Sequence, residues 1–338
     1  MIAALALALV ATAAWSLTAG ASNASLEGLI MGWLHEAGRS GAFERDLLII
    51  RDVRMPRIAI GALIGAALAF SGAVMQGLFR NPLADPGLIG VSAGAALGAA
   101  TMIVLGNALF GTMAALLGAY AIAALAFAGA LAVTFLLYRV STRQGQTSVA
   151  TMLLAGMALA AFANGLLGIL IFMADDRQLR DITFWNLGSL AGATWMKAAA
   201  IAPIIVLSLG VAQFLARGLN ALALGEANAR YMGVAVQRLK YAAIVAVAAA
   251  TGCSVAVSGG IGFVGMVVPH LLRLVIGPDN RFLLPASALG GACLLLLADA
   301  VARTAAAPAE LPIGIVTAGF GAPVFLWILL RRRALIDL

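Results

Sequence analysis

Charge is what this chain of 338 residues has least of. Only 10% of its residues are Asp, Glu, Lys or Arg, while 63% are hydrophobic. A soluble domain is about 45–50% apolar and about 25% charged. So little polar surface cannot cover so large an apolar core, and the chain reads as an integral membrane protein. Cysteine is also scarce. Cys253 and Cys293 both sit in apolar runs without metal-ligand spacing, which excludes a disulfide framework and suits small packing residues. The two histidines, His35 and His270, form no ligand pattern, and His270 beside Pro269 reads as a packed, hydrogen-bonded side chain.

Other absences narrow the function. No Gly-x-x-x-x-Gly-Lys-Ser/Thr occurs, so the chain has no P-loop of its own to cradle ATP phosphates. No HExxH, paired catalytic carboxylates or Ser/His/Asp arrangement stands out, which makes a membrane enzyme a weak reading. No acidic residue lies in the middle of an apolar run, and Asp299 sits at the outer end of one. Intramembrane carboxylates mark proton and ion paths, and cation channels carry acidic rings or carbonyl filters. A stand-alone secondary transporter or channel is therefore disfavoured, and the energy source is expected in another polypeptide. The net charge of +7 carries no dense Lys/Arg run except Arg331–Arg333, so no nucleic-acid partner is expected.

What is present is a series of apolar stretches. A span needs roughly 20 apolar residues and must satisfy its own backbone hydrogen bonds, so helices are expected. The run from Ile2 to Ala21 lacks the basic region of a signal peptide and reads as the first span. The others are about 57–78, 88–106, 113–138, 149–173, 195–215, 241–258, 260–276, 282–300 and 313–330. Ser258-Gly259-Gly260 breaks one long apolar run, and the count becomes nine if that break does not turn the chain around. Ten spans put both termini on one side. With the termini cytoplasmic, that side holds 12 of the 21 Lys and Arg residues, a modest bias of the expected sign. Two longer pieces then face outward. One is 22–57, with Trp33, His35 and Glu36. The other is 174–194, whose Asp-Asp, Trp185 and Gly-rich end suit a helix and turn at the interface. Gly-Ile-Gly-Phe-Val-Gly at 260–265 matches a dinucleotide fingerprint formally. That motif needs a preceding strand in a soluble sheet, so here the glycines are read as a tight turn and close helix packing.

Between two apolar blocks lies a polar island, RGLNALALGEANARYMGVAVQRLK at 217–240, with Arg217, Glu226, Arg230, Arg238 and Lys240. Its inner part reads as two short helices, roughly 219–227 and 228–236, joined near Gly225. Such helices suit a docking platform for a soluble partner, although an ordinary cytoplasmic loop fits this stretch equally well.

MQGLFRNPLADPGLIGVSAG at 75–94 resembles the signature of permease subunits of bacterial ABC importers for iron–siderophore, haem and cobalamin. RMPRIAIGALIGAALAFSGA at 54–73, GGIGFVGMVVPHLLRLVIGPDNR at 259–281 and AELPIGIVTAGFGAPVFLWILLRR at 309–332 agree, in the right order, over all but the first fifty residues. The resemblance implies an all-α, ten-span bundle like that of cobalamin-importer permeases, with residues 1–338 forming one transmembrane permease domain. It also implies a homodimer in the bacterial inner membrane, two cytoplasmic ATPase subunits, a periplasmic substrate-binding protein, and no cofactor or catalytic residue in this chain.

Residue by residue, the island resembles the family's coupling helices, spanning about 219–236, with Leu224, Gly225, Glu226 and Gly233 at matching places. Ala227 stands where a second acidic residue is common, and Asn280 where the family's GxDHR ending has His. Arg54, Arg57 and Arg303 match arginines that receive the acidic residues of the binding protein, so a basic outer rim is expected. Headgroup anchoring by snorkelling is the alternative. Thr147 and Ser148 lie where the family narrows its cytoplasmic exit. Asn81-Pro82, Asp85-Pro86 and Gly87 read as a stiff cytoplasmic turn. Among substrates the resemblance is nearest to the haem branch, with ferric siderophore and cobalamin as alternatives.

Overall fold

The computed structural model describes residues 1–19 and 41–336. Trp33, His35 and Glu36 of the expected outer segment lie outside the described residues. Helix α1 is Ile2–Thr18. Helix α2, Gly41–Leu48, runs through a π-helical turn at Ile49–Arg54 into α3, Met55–Phe79. A 3-10 turn at Pro86–Ile89 leads to α4, Val91–Leu117, and α5, Ala121–Ser141. A two-stranded hairpin, β1 Thr142–Arg143 and β2 Gln146–Thr147, precedes α6, Val149–Met173. Then come α7, Asp176–Leu187; α8, Trp195–Phe214; and two short helices, α9 Ala216–Ala223 and α10 Glu226–Tyr231. Helices α11, Val236–Ser258; α12, Val264–Ile276; α13, Asn280–Thr304; and α14, Ile313–Ile336, complete the described chain.

Among the described residues, six helices are long and apolar enough to cross a membrane, and four shorter ones, Ile2–Thr18, Val91–Gly106, Val264–Ile276 and Ile313–Trp327, are apolar. Together they fall on the ten stretches expected from sequence. The division at Ser258-Gly259-Gly260 is present but uneven. Helix α11 stops at Ser258, Gly259 takes φ 72°, and Phe263 takes φ 68° before α12 begins. At 13 residues, α12 is about 20 Å long, short of the roughly 30 Å hydrocarbon core. The expected span at 260–276 is thus a shorter helix beginning four residues later, because 259–263 is spent on the turn. A Cβ at Gly259 would lie 2.0 Å from the carbonyl oxygen of Trp185, so the turn packs against the end of α7.

Helix α3 is the centre of the bundle. It is buried along most of its length and packs on α8, α11, α12 and, most extensively, antiparallel α13. Lipid supplies no hydrophobic force between spans, so close backbone approach has to come from small residues. A Cβ at Gly65 would lie 2.3 Å from the Gly291 carbonyl oxygen, and one at Gly291 would lie 2.2 Å from that of Gly65. The chain folds this way only because both positions are glycine. The pair α4–α5 repeats the device at Gly94 and Gly129.

Because α3 and α13 are antiparallel, each end of the bundle collects one terminus of each. One end holds Arg54 and Arg57 with the C-terminal turn of α13. The other holds Arg80, the 81–90 turn, the start of α13, and α9–α10.

Candidate functional site

The polar island folds as two short helices joined at Leu224-Gly225, the junction near Gly225 expected from sequence, with the first helix starting and the second ending earlier than the rough bounds. Gly225 has φ 105°, a conformation L side chains rarely adopt, so glycine makes the corner. Leu219 and Leu222 of α9 are buried in the bundle, whereas Leu224 is 64% and Tyr231 90% exposed. The island thus has an anchored inner face and an outer face that sets Leu224 and Tyr231 beside exposed Arg217 and Arg230. Met232 is also exposed beyond α10, and Gly233, at φ 82°, ends it.

A polar brace fixes α9 to the start of α13. Asn220 Nδ2 donates to Asp279 Oδ1 at 2.7 Å, and its Oδ1 accepts from the Asn280 backbone N–H at 2.9 Å and from Asn280 Nδ2 at 2.7 Å. Arg281 pairs with Asp279 at 2.6 Å. The Arg281 and Asn220 donors hold the Asp279 carboxyl well below the usual carboxylate range. Asn280 here does what a hydrogen-bonding side chain at that position can do. The 81–90 turn packs instead against α3, α4, α6 and α11, with Asp85 and Pro86 facing Gly265 at the start of α12. Asn81 Oδ1 accepts from Leu83 N–H and Asp85 Oδ1 from Gly87 N–H. Burial pushes the Asp85 carboxyl up, partly offset by the Gly87 bond.

Glu226, at the start of α10, does not point freely outward. Its Oε1 accepts from Lys240 Nζ at 2.6 Å, while Arg230 lies at 3.8 Å on its exposed side. Lys240 is 1% exposed, and its Nζ also donates to the Thr147 carbonyl at 2.6 Å. The Thr147 N–H in turn donates to Gln237 Oε1 at 2.9 Å, and its hydroxyl meets that of Thr142 at 2.9 Å. Thr147 is buried and Ser148 caps α6 by accepting from Thr151 N–H. The island helix α10 and the hairpin are therefore one hydrogen-bonded unit, joined through Gln237 and Lys240, which lie 90 and 93 positions from Thr147.

A family model described as the FecCD transport family matches residues 7–331. The chain belongs to the FecCD transport family. It is 46% identical over 282 residues to the hemin transport system permease protein HmuU of Yersinia pestis, covering 83% of each chain. It is 42% identical over 294 residues to the cobalamin import system permease protein BtuC of Halobacterium salinarum, covering 87% of this chain and 76% of that one. A solved structure described as an inward-facing ABC transporter of metal-chelate type superposes with TM-score 0.84 at 33% identity, over 98% of both chains. This FecCD chain is thus a multi-span permease of an ABC importer, a family that works with an ATPase subunit and a substrate-binding protein.

The other sites expected of a FecCD permease fall into place unevenly. Arg54, Arg57 and Arg303 lie together at one end of the bundle, opposite α9 and α10. They do not form an exposed rim, being 4%, 7% and 6% exposed. Arg57 pairs with Asp299 at 2.9 Å and with Glu310 at 3.0 Å, and Arg303 Nε approaches Asp299 at 3.0 Å. Arg303 also donates to Ser16 Oγ at 2.7 Å and Ala19 O at 2.8 Å, and Arg54 donates to Leu17 O. The guanidiniums turn inward because Asp299 and the free carbonyls at the end of α1 are stronger local partners than water at the rim. Sequence reading missed the inward roles of Asp299 and Lys240. Local spacing identifies neither, since their partners lie far away in the chain.

Proposed function

We propose that this permease carries haem across the inner membrane as a homodimer, with both termini cytoplasmic. Helices α9 and α10, through Leu224, Gly225, Glu226 and Gly233, receive the ATPase, and Thr147 at the end of the hairpin forms part of the cytoplasmic gate with Ser148 at the start of α6. The similarity to the hemin permease carries the substrate reading. Its 46% identity exceeds the 42% and 44% of the cobalamin permeases. A path between two such subunits, lined by small and apolar residues, offers few strong ligands and suits a flat, largely apolar macrocycle. The identities of the cobalamin relatives favour that corrinoid as the second reading. The end of the bundle carrying the arginine cluster faces the binding protein, and the cluster braces that face.

The test is substrate-stimulated ATP hydrolysis by the reconstituted complex. The cognate binding protein is loaded separately with hemin, cobalamin or a ferric siderophore. Stimulation by the hemin-loaded form alone supports the proposal, and stimulation by cobalamin alone replaces it with the second reading.

A further inference from the structure

We infer that Lys240 transmits movement of α10 to the gate hairpin, as a positioning residue through which ATPase docking acts. The inference rests on the platform and gate roles proposed above and extends them to residues those roles do not include. Three contacts carry it. The Lys240 ammonium, 1% exposed, holds Glu226 Oε1 at 2.6 Å and the Thr147 carbonyl at 2.6 Å. Three residues earlier on α11, Gln237 accepts the Thr147 N–H at 2.9 Å. Residues three apart share a helix face, so α11 grips both backbone groups of one peptide-bonded residue, Thr147, from a single side.

The geometry is selective. Thr147 is the last residue of the hairpin and is locked to Thr142 across it at 2.9 Å. The backbone N–H of Ser148 donates to the Ser141 carbonyl at 3.0 Å, tying the hairpin to the end of α5 and the start of α6. Moving Thr147 therefore moves the mouth between α5 and α6. Glu226 is 31% exposed on its side chain and sits beside exposed Leu224, on the face a partner would press. A buried ammonium cannot exchange a lost protein partner for water, so it must keep its carboxylate or follow it. A shift of α10 that carries Glu226 thus pulls Lys240, and with it the Thr147 carbonyl. An exposed lysine at the same position would swing away and transmit nothing.

The experiment uses the full chain assembled with its ATPase in nanodiscs, with Cys253→Ala and Cys293→Ser. Single cysteine reporters are placed at exposed Tyr231 on α10 and exposed Gln146 on the hairpin. Maleimide labelling rates are compared without nucleotide and after vanadate trapping. In the parent, both reporters are expected to change rate several-fold. If the Tyr231 reporter stays silent in the parent, the platform reading fails. In Lys240→Met the Tyr231 response is expected to persist while the Gln146 response falls to background. A Gln146 response that survives Lys240→Met overturns the inference while leaving the platform reading intact. The double exchange E226K/K240E keeps opposite charges in place but leaves the Thr147 carbonyl without a donor, so its hairpin response is expected to stay lost. Recovery in the double exchange would overturn the Thr147 carbonyl as the transmitting contact.

Discussion

Arg57 and Asp299, 242 positions apart, meet in the buried boundary of the bundle, with Arg57 Nε 3.0 Å from one carboxylate oxygen and 3.2 Å from the other. Arg303 lies on the same carboxylate one helical turn along α13. This shared anion joins α3 to α13 at the end opposite the platform, and Arg303 continues the link to α1.

Removing the shared anion should be costly. Asp299→Asn leaves two buried guanidiniums without their common counter-charge, and breaking a buried pair from one side costs about 3–5 kcal/mol. We expect a marked loss of thermal stability in detergent. The double variant R57M/D299L removes both members and leaves Arg303 its carbonyl partners, so it should be less destabilised than Asp299→Asn.

Charge reversal separates a bracing role from a docking role. R54E/R57E places a carboxylate beside Asp299 and Glu310, where like charges repel within a poorly solvated site. The expected result is loss of monodisperse protein on size exclusion. Full folded yield with slower, salt-sensitive binding-protein association would instead return these arginines to a docking rim.

The Gly65–Gly291 contact sets the spacing of α3 and α13. Gly65→Ala forces a Cβ to 2.3 Å from a backbone oxygen, and overpacking of this kind costs about 1–3 kcal/mol. Gly210→Ala on α8 meets nothing within 4 Å and should leave the melting temperature unchanged or raised. Comparing the two melting temperatures checks the claim.

The brace at Asp279 should respond to acid. Its folded carboxyl titrates below the ordinary value near 3.9. A depressed folded pKa contributes stability that is fully present above the unfolded value and is lost as pH falls through the folded one. Stability of the parent should therefore drop below about pH 4 more steeply than that of Asp279→Asn, which lacks the titrating group. Unfolding midpoints between pH 3 and 7 test this.

The ten apolar stretches were legible because a lipid environment demands long uncharged runs, and the island at 217–240 was legible as a pair of short helices because its charges interrupt two such runs. Helix α12 came out shorter than expected, since sequence shows where glycines break a run but not how many residues the turn consumes. The arginines were legible as a group, yet their burial was not, because Asp299 reads as an ordinary charge at a span end. Lys240 counted as one more cytoplasmic positive charge. Only the fold reveals that Glu226 and Thr147 converge on its ammonium.

As proposed, this permease moves haem using ATP hydrolysed by a partner. The most direct measurement is hemin uptake into proteoliposomes holding the permease, its ATPase and its binding protein. We expect uptake that stops with vanadate and persists with a protonophore. Uptake that stops with the protonophore and persists with vanadate would replace ATP-driven import with a secondary transporter.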